Sequence, residues 1–205
     1  MTLKLLWEHI YIVLMSMALA TVVGLPLGIV CYFCPKVRKP IMWVVDVLQT
    51  IPALALLGMI MVVAGAGKPT VIIGIALYSL LPIVSNTCLG LEQVDEGIKE
   101  AARGMGMGRW KRLQSVELPL AFPVIFTGLR IAAVNSVGSA VFAAFVGGGG
   151  IGTLINKAVR IRDMGLLAQG TVTLMAIAVA LDLGMGAIEK ALAGKERLKA
   201  NRAER

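Results

Sequence analysis

Three ionisable side chains interrupt long apolar stretches of the sequence, where a charge is costly unless it has a partner or a function. Asp46, Arg130 and Asp182 each stand among apolar neighbours. A guanidinium and a carboxylate neutralise each other in such surroundings, and isolated charges of this kind mark solute paths, gates and structural ion pairs. We therefore predict that Arg130 pairs with Asp182 or with Asp46, as a structural or gating pair.

A second group of residues carries uncharged polar side chains within the same stretches. Amide and hydroxyl groups there either line a path for a polar solute or join neighbouring helices by hydrogen bonds. The residues predicted to line a path are Gln49, Thr50, Ser79, Asn135 and Ser136, with Asn86 and Ser139 as further candidates. Both roles remain open for each of them.

Most enzymatic sites require residue types that this chain lacks or places badly. His9 is the only histidine, and the three cysteines, Cys31, Cys34 and Cys88, form one C-x-x-C without a second pair. Nucleophilic and metal-dependent chemistry needs a base or a cluster of ligands beside the reacting group. The sequence also has no G-x-x-x-x-G-K-[ST] motif for ATP. We predict that the chain is not an enzyme and holds no metal or cofactor.

Composition indicates which elements position these residues. Of the 205 residues, 58% are hydrophobic and 16% are charged, and the mean hydropathy is +0.83. Soluble domains are about 45–50% apolar and about 25% charged, so the composition argues against an ordinary soluble domain. The net charge of +8 does not indicate nucleic acid binding, because the basic residues lie in short segments between apolar runs, as in membrane proteins.

Five apolar runs are long enough, or nearly so, to cross a bilayer as helices, since about 20 residues at 1.5 Å each span a core of about 30 Å. They predict an all-α, polytopic membrane protein built as a single domain, residues 1–205. The predicted spans are residues 10–33, 41–64, 70–87, 118–146 and 164–188, and a large inner loop covers residues 88–117. Pro26, Pro52 and Pro82 lie inside three of these spans and predict kinks.

The distribution of Lys and Arg predicts the orientation of the spans. Fourteen of the 20 basic residues lie in residues 35–40, 85–117 and 190–205, whereas five lie in the segments on the other side. Cytoplasmic loops carry the excess of positive charge. We therefore predict a multi-pass protein of the bacterial plasma (inner) membrane, with its N-terminus outside and its C-terminus in the cytoplasm.

The inner loop contains the most informative pattern. Residues 94–102 predict a short helix, three glycines at positions 104, 106 and 108 predict a break, and residues 109–116 predict a second, basic helix. Such a knob of two helices suits docking into a groove of a partner. The alternative is a solvated connection without a partner.

The residue pattern of this loop resembles that of a known family. Glu100–Ala102 is followed by three residues, Gly106, nine residues and Val116–Pro119. This resembles the EAA loop of ABC importer permeases, EAA-x3-G-x9-I-x-LP, with valine in place of isoleucine. The resemblance implies a type I ABC importer permease-like fold with a cytoplasmic coupling helix that docks on an ATPase subunit. The coupling residues it implies are Glu100, Ala101, Ala102, Gly104 and Gly106.

Two spans narrow the resemblance further. Residues 46–56, DVLQTIPALAL, and residues 78–87, YSLLPIVSNT, resemble the second and third spans of osmoprotectant permeases. That family takes up glycine betaine, choline, carnitine and related compounds. Membership implies ATP and Mg²⁺ bound by a partner ATPase, a second permease subunit of the same or a similar sequence, and an extracytoplasmic binding protein. We expect the binding protein to be a separate chain, because this sequence carries no fused binding domain.

Two other functions remain as alternatives. One is an ABC permease for methionine or another amino acid, and the other is an ATP-independent channel or carrier, which would leave the inner loop without a partner. Quaternary ammonium ligands favour aromatic cages, but the three Trp, three Tyr and five Phe form no cluster in the sequence. We therefore expect tight binding by the binding protein and a low-affinity path through this chain.

Overall fold

Helices form every regular element of the part of the chain that the structure describes. The computed structural model describes residues 3–203, with side chains over residues 3–191; the predicted domain's outermost two residues at each end, and the side chains of most of the basic C-terminal segment, lie outside it. The long helices are α1 (Leu3–Phe33), α4 (Lys68–Glu92), α7 (Leu118–Ser139) and α9 (Met164–Ala203). The shorter helices are α2 (Pro35–Thr50), α3 (Ala53–Ala64), α5 (Glu96–Gly104), α6 (Arg109–Arg112) and α8 (Ile151–Ile161). A π-helical segment, Leu113–Glu117, joins α6 to α7, and a 3-10 segment, Ala140–Phe145, continues α7.

Four helical stretches are long and apolar enough to cross a membrane within the described residues. They are Leu3–Phe33, Lys68–Glu92, Arg109–Phe145 and Met164–Ala191. A fifth crossing results if α2 and α3, which form a bent pair, count as one span. The predicted all-α fold is therefore confirmed, with four or five candidate membrane spans among the described residues.

The structure differs from the sequence prediction in the second span, residues 41–64, which is broken rather than kinked. The axes of α2 and α3 differ by 101°. Pro52 has no N–H to continue the helix, and a proline pushes the preceding residue out of the helical region. Ile51 is accordingly extended, with φ −69° and ψ 129°. The break places Gln49, at the end of α2, against α4.

The central helix α4 packs against α1, α2, α3 and α7. Two glycines four residues apart bring α1 close to it. A Cβ on Gly28 would lie 2.5 Å from the Cβ of Thr87, and one on Gly24 would lie 2.7 Å from the Cγ2 of Ile83. Small residues at this spacing are typical of tightly packed membrane helices, so a larger side chain at either position would force α1 and α4 apart.

At the edge of the bundle, α9 packs along α7 and α8. No residue in its most apolar window of 18 residues is buried. The apolar surface of α9 is therefore available to lipid or to another subunit.

Two glycine-rich connections meet at the end of the bundle that the charge distribution predicts to be outside. The N–H of Gly67 donates to the carbonyl of Val146 at 2.8 Å. The N–H of Gly150 donates to the carboxylate of Glu8 at 3.3 Å, and that carboxylate also pairs with Lys68 at 3.3 Å. These bonds hold both connections against the N-terminal part of α1.

Candidate functional site

The segment between α4 and α7 contains two short helices, of which α5 is the longer. The carboxylate of Asp95 accepts a hydrogen bond from the N–H of Ile98 at 3.1 Å and so caps the N-terminus of α5. Glu96 in the first turn and Arg103 in the last turn bond to each other at 3.1 Å. Both charges also complement the helix dipole. Local interactions therefore stabilise this helix.

A tight turn centred on Gly106 ends α5. The N–H of Met107 donates to the carbonyl of Ala102 at 3.1 Å, and the N–H of Gly106 donates to the carbonyl of Arg103 at 2.9 Å. These two hydrogen bonds form a Schellman motif. Gly106 has a φ of +76°, a region that costs residues with a Cβ about 1–2 kcal/mol. A Cβ built there has no neighbouring atom within 4 Å. Backbone conformation, rather than lack of space, therefore requires glycine at this position.

The five predicted coupling residues divide by exposure. Ala102 is 1% exposed and packs against the protein. The other four predicted coupling residues are exposed: Glu100, Ala101, Gly104 and Gly106. Beside them, the large apolar side chains of Ile98 and Met105 are 43% and 69% exposed. Exposed apolar groups on one loop are typical of interaction surfaces. After the role that the sequence predicts, we call this set of residues the coupling face: Ile98, Glu100, Ala101, Gly104, Met105 and Gly106.

Two buried basic side chains hold the base of this loop. The Nζ of Lys99 donates to the carbonyl of Glu92 at 3.4 Å and lies 5.5 Å from the centre of the Tyr32 ring. The Nε of Arg112 donates to Glu117 at 2.5 Å, with side chains that are 10% and 0% exposed. These contacts fasten the loop to the ends of α1, α4 and α7.

A cavity of about 410 Å³ lies between the end of α2, α4 and α7. Its volume lies within the range of small-molecule sites. Four of the five residues predicted to line a path do line it: Gln49, Ser79, Asn135 and Ser136, together with Ser139. Thr50 does not line it, and its hydroxyl donates to the carbonyl of Val47 at 2.7 Å. Asn86 does not line it either, and its amide donates to the carbonyl of Pro82 at 2.8 Å.

Hydrogen bonds fix part of the cavity wall. The hydroxyls of Ser79 and Ser136 lie 3.0 Å apart and join α4 to α7. The Nε2 of Gln49 donates to the carbonyl of Tyr78 at 2.7 Å, which leaves its Oε1 as a free acceptor. The two serines thus join helices as well as line the cavity, so the two roles that the sequence left open coincide.

Sequence reasoning missed the aromatic part of this cavity. Tyr78 and Phe142 both line it, although they are 64 residues apart in the chain. Tyr78 directly precedes Ser79, and Phe142 lies three residues after Ser139. Their proximity to predicted lining residues was a signal, but the two rings line one cavity only because α4 packs against α7.

The structure brings Arg130 and Asp182 together. The Nε and Nη2 of Arg130 bond to the two carboxylate oxygens of Asp182 at 2.6 and 2.8 Å, which is a bidentate pair. Glu189 lies 3.6 Å from the Nη1 of the same guanidinium. The sequence reasoning missed Glu189, although its position seven residues after Asp182 places both on one face of α9. Asp46 is exposed and forms no ion pair with any other described residue.

The charged group borders a second cavity, of about 330 Å³. Val134 and Asn135 line both this cavity and the first. A neutral cavity and a charged one are therefore neighbours along α7. Among the described residues, no group of three or more His, Cys, Asp or Glu side chains is placed to hold a metal ion.

Comparison with known proteins gives consistent matches over nearly the whole chain. A profile of the family described as binding-protein-dependent transport system inner membrane component matches residues 5–194. The chain is 35% identical to the carnitine transport permease protein OpuCB of Listeria monocytogenes, over 92% of this chain and 87% of that protein. It is 40% identical to the choline transport system permease protein OpuBD of Bacillus subtilis, over 84% and 77% of the two chains. It is 36% identical to the osmoprotectant import permease protein OsmW of Salmonella typhimurium, over 87% and 86%.

The fold also matches solved structures. A chain of the MetNI methionine ABC transporter in an inward-facing conformation superposes with a TM-score of 0.85 at 23% identity, over 93% of this chain and 95% of that chain. At this identity the likeness shows a common fold.

Proposed function

The chain belongs to the family of binding-protein-dependent transport system inner membrane components, the permease subunits of ABC importers, and we propose that its cargo is an osmoprotectant such as glycine betaine, choline or carnitine. Curated relatives named for carnitine, choline and osmoprotectant transport support this cargo. The methionine transporter shares the fold, which carries no information on cargo. Membership of this family argues against an ATP-independent channel or carrier.

The family implies ATPase subunits and a second permease subunit as partners, and permease subunits of ABC importers are generally free of cofactors. The relatives are named as permease proteins, so the chain is not itself an enzyme. In the proposed complex, the ATPase subunits bind ATP and Mg²⁺, and an extracytoplasmic protein delivers the cargo. The chain interacts with the lipid bilayer and with no nucleic acid.

The coupling face is the observation that carries the proposal. It exposes Ala101 and the flanking apolar side chains of Ile98 and Met105 on the surface of the protein. The buried groups of Lys99 and Arg112 hold the base of this loop. A partner that grips such a helix transmits force to the spans. Closure of the ATPase pair by ATP would push the helix and switch the spans from inward to outward opening.

The distribution of basic residues supports an orientation with the coupling face in the cytoplasm, the N-terminus outside and the C-terminus inside. The path then runs through the neutral cavity and past the pair of Arg130 and Asp182. In this proposal the pair acts as a gate or lock between α7 and α9.

Purification of the tagged chain in mild detergent, with its natural partners, tests the proposal. We expect an ABC ATPase to co-purify, and we expect the reconstituted complex to take up labelled choline, carnitine or glycine betaine only with ATP. Ala101→Trp should lose the ATPase because it places a large side chain on the coupling face. Val62→Trp, at a position that is 84% exposed on α3, should retain it.

The two parts of the proposal fail separately in this experiment. A chain that never recovers an ATPase contradicts the coupling role. ATP-driven uptake of methionine without uptake of any osmoprotectant contradicts the cargo alone.

A further inference from the structure

The wall of the cavity beside Gln49 carries no formal charge. Its polar groups are amides and hydroxyls, and its remaining groups are apolar or aromatic. Arg130 and Asp182 belong to the neighbouring cavity, and Asp46, one helical turn before Gln49 on α2, is exposed and lines neither cavity. A cation inside the first cavity would therefore be held by dipoles and π-faces alone.

Two aromatic rings reach this neutral cavity from different elements. Tyr78 comes from the middle of α4, and Phe142 comes from the 3-10 segment that follows α7. The face of an aromatic ring attracts a cation such as a trimethylammonium group, which has no N–H and so cannot be held by hydrogen bonds. A lining of this kind suits an alkylated ammonium ion better than a primary amine.

Amide groups of Gln49 and Asn135 are among the other polar groups that a ligand in the cavity would meet. Because the Nε2 of Gln49 is committed to a backbone carbonyl, its Oε1 is the atom left to face a ligand. Asn135 is exposed at the mouth of the cavity, where its amide would meet a solute that enters or leaves.

We propose that this cavity is a transit site for the trimethylammonium group of the cargo, with Tyr78 and Phe142 supplying ring faces and Gln49 supplying an amide oxygen. The inference rests on the proposed function, since it assumes a quaternary ammonium cargo. The neutral wall keeps the site weak, which a path requires, because a carboxylate in the same place would retain the cation.

Ring substitutions in the reconstituted complete transporter test the transit site. The measurements are the amount of choline taken up per ATP hydrolysed, and the kcat and KM of choline uptake. Phe142→Leu and Tyr78→Leu should each lower choline uptake per ATP by about five- to thirtyfold, the size expected for a desolvated cation–π contact. Tyr78→Phe, which keeps the ring, should stay near wild type. Phe145→Leu is the matched control, because Phe145 belongs to the same segment, is 53% exposed and does not line the cavity. Its ring centre lies 6.4 Å from that of Phe142, so this control also measures what loss of the contact between the two rings does by itself.

The outcomes separate the two proposals. If the Phe142→Leu and Phe145→Leu transporters both take up choline as fast as the wild type, the transit site is overturned and the proposed function stays intact. A wild-type transporter that takes up no trimethylammonium compound overturns the proposed cargo and this inference with it.

Chemical labelling tests the transit site if the leucine variants fail to assemble. Ser139→Cys, in a Cys34→Ser background, is treated with thiosulfonate reagents that carry either a trimethylammonium or a sulfonate group. The ratio of their rates is normalised to the same ratio at Cys34 in the wild type, since Cys34 is exposed. We expect a ratio at least fivefold above this reference and slower labelling with choline present. A ratio equal to the reference, with no protection by choline, overturns the transit site.

Discussion

Removing the guanidinium of Arg112 tests whether the base of the coupling loop depends on a buried ion pair. In Arg112→Met, Glu117 retains a carboxylate that is 0% exposed and loses the donor that lies 2.5 Å away. Its second oxygen has no hydrogen-bond partner among the described residues, and the Tyr32 hydroxyl is the neighbour near enough to interact with this carboxylate, so a neutral hydroxyl is all that remains in place of the guanidinium. Breaking such a pair from one side costs about 3–5 kcal/mol. At about 2–4 °C per kcal/mol for a chain of this size, the melting temperature should fall by about 6–20 °C.

The assay is thermal loss of the monodisperse peak of the purified protein in detergent. The double variant Arg112→Met with Glu117→Leu removes both charges at similar volume and should recover most of the loss, because a well-packed apolar pair is often as stable as a buried ion pair. Arg38→Met is the matched control. Arg38 pairs with Glu92 at the surface, with side chains that are 42% and 37% exposed, and such pairs contribute about 0–1 kcal/mol. The reasoning is refuted if Arg112→Met is no less stable than Arg38→Met, or if the double variant is no better than the single one.

Three further predictions concern the spans. Arg130→Ala should reduce ATP-driven uptake because it leaves the Asp182 carboxylate without its bidentate partner; the exchanged pair, Arg130→Asp with Asp182→Arg, should restore part of it, and uptake no better than in Arg130→Ala would count against the pair. Gly28→Leu should lower the melting temperature or prevent folding, since a Cβ there already lies 2.5 Å from a neighbouring side chain; Gly58→Leu, where no atom lies within 4 Å, should be tolerated, and equal loss in both variants would contradict the packing argument. Cys34, the exposed cysteine, should react with a membrane-impermeant maleimide only after the cells are opened; labelling of intact cells would reverse the proposed orientation.

Short sequence patterns predicted the parts of the structure that depend on local order. Apolar runs located the helices, and the glycines at positions 104 and 106 located the end of α5, because helix formation and its interruption are decided within a few residues. The pairing of Arg130 with one of two carboxylates was also predictable, since isolated charges in apolar surroundings need partners.

Features that depend on packing could not be read from the sequence. A proline predicts a kink or a break equally well, so the 101° turn after α2 was not predictable from Pro52. That Tyr78 and Phe142 line one cavity depends on how closely α4 and α7 pack. Thr50 and Ala102 carry the expected residue types, but one bonds to its own backbone and the other is buried, which only the helix orientations decide.

The geometry of α4 has a mechanical consequence. Tyr78 and Pro82 line the cavity, and the same helix runs on to Glu92 at the coupling loop, which is about 15 Å further along at 1.5 Å per residue. The loop lies between α4 and α7, and the hydroxyls of Ser79 and Ser136 join these two helices, so that the helices on both sides of the loop are linked at the cavity. In the proposed transport cycle, force on the loop would therefore move the cavity wall with it. Movement would be easiest at the Ile51–Pro52 break, where the helix does not continue, and along α9, whose most apolar window has no buried residue.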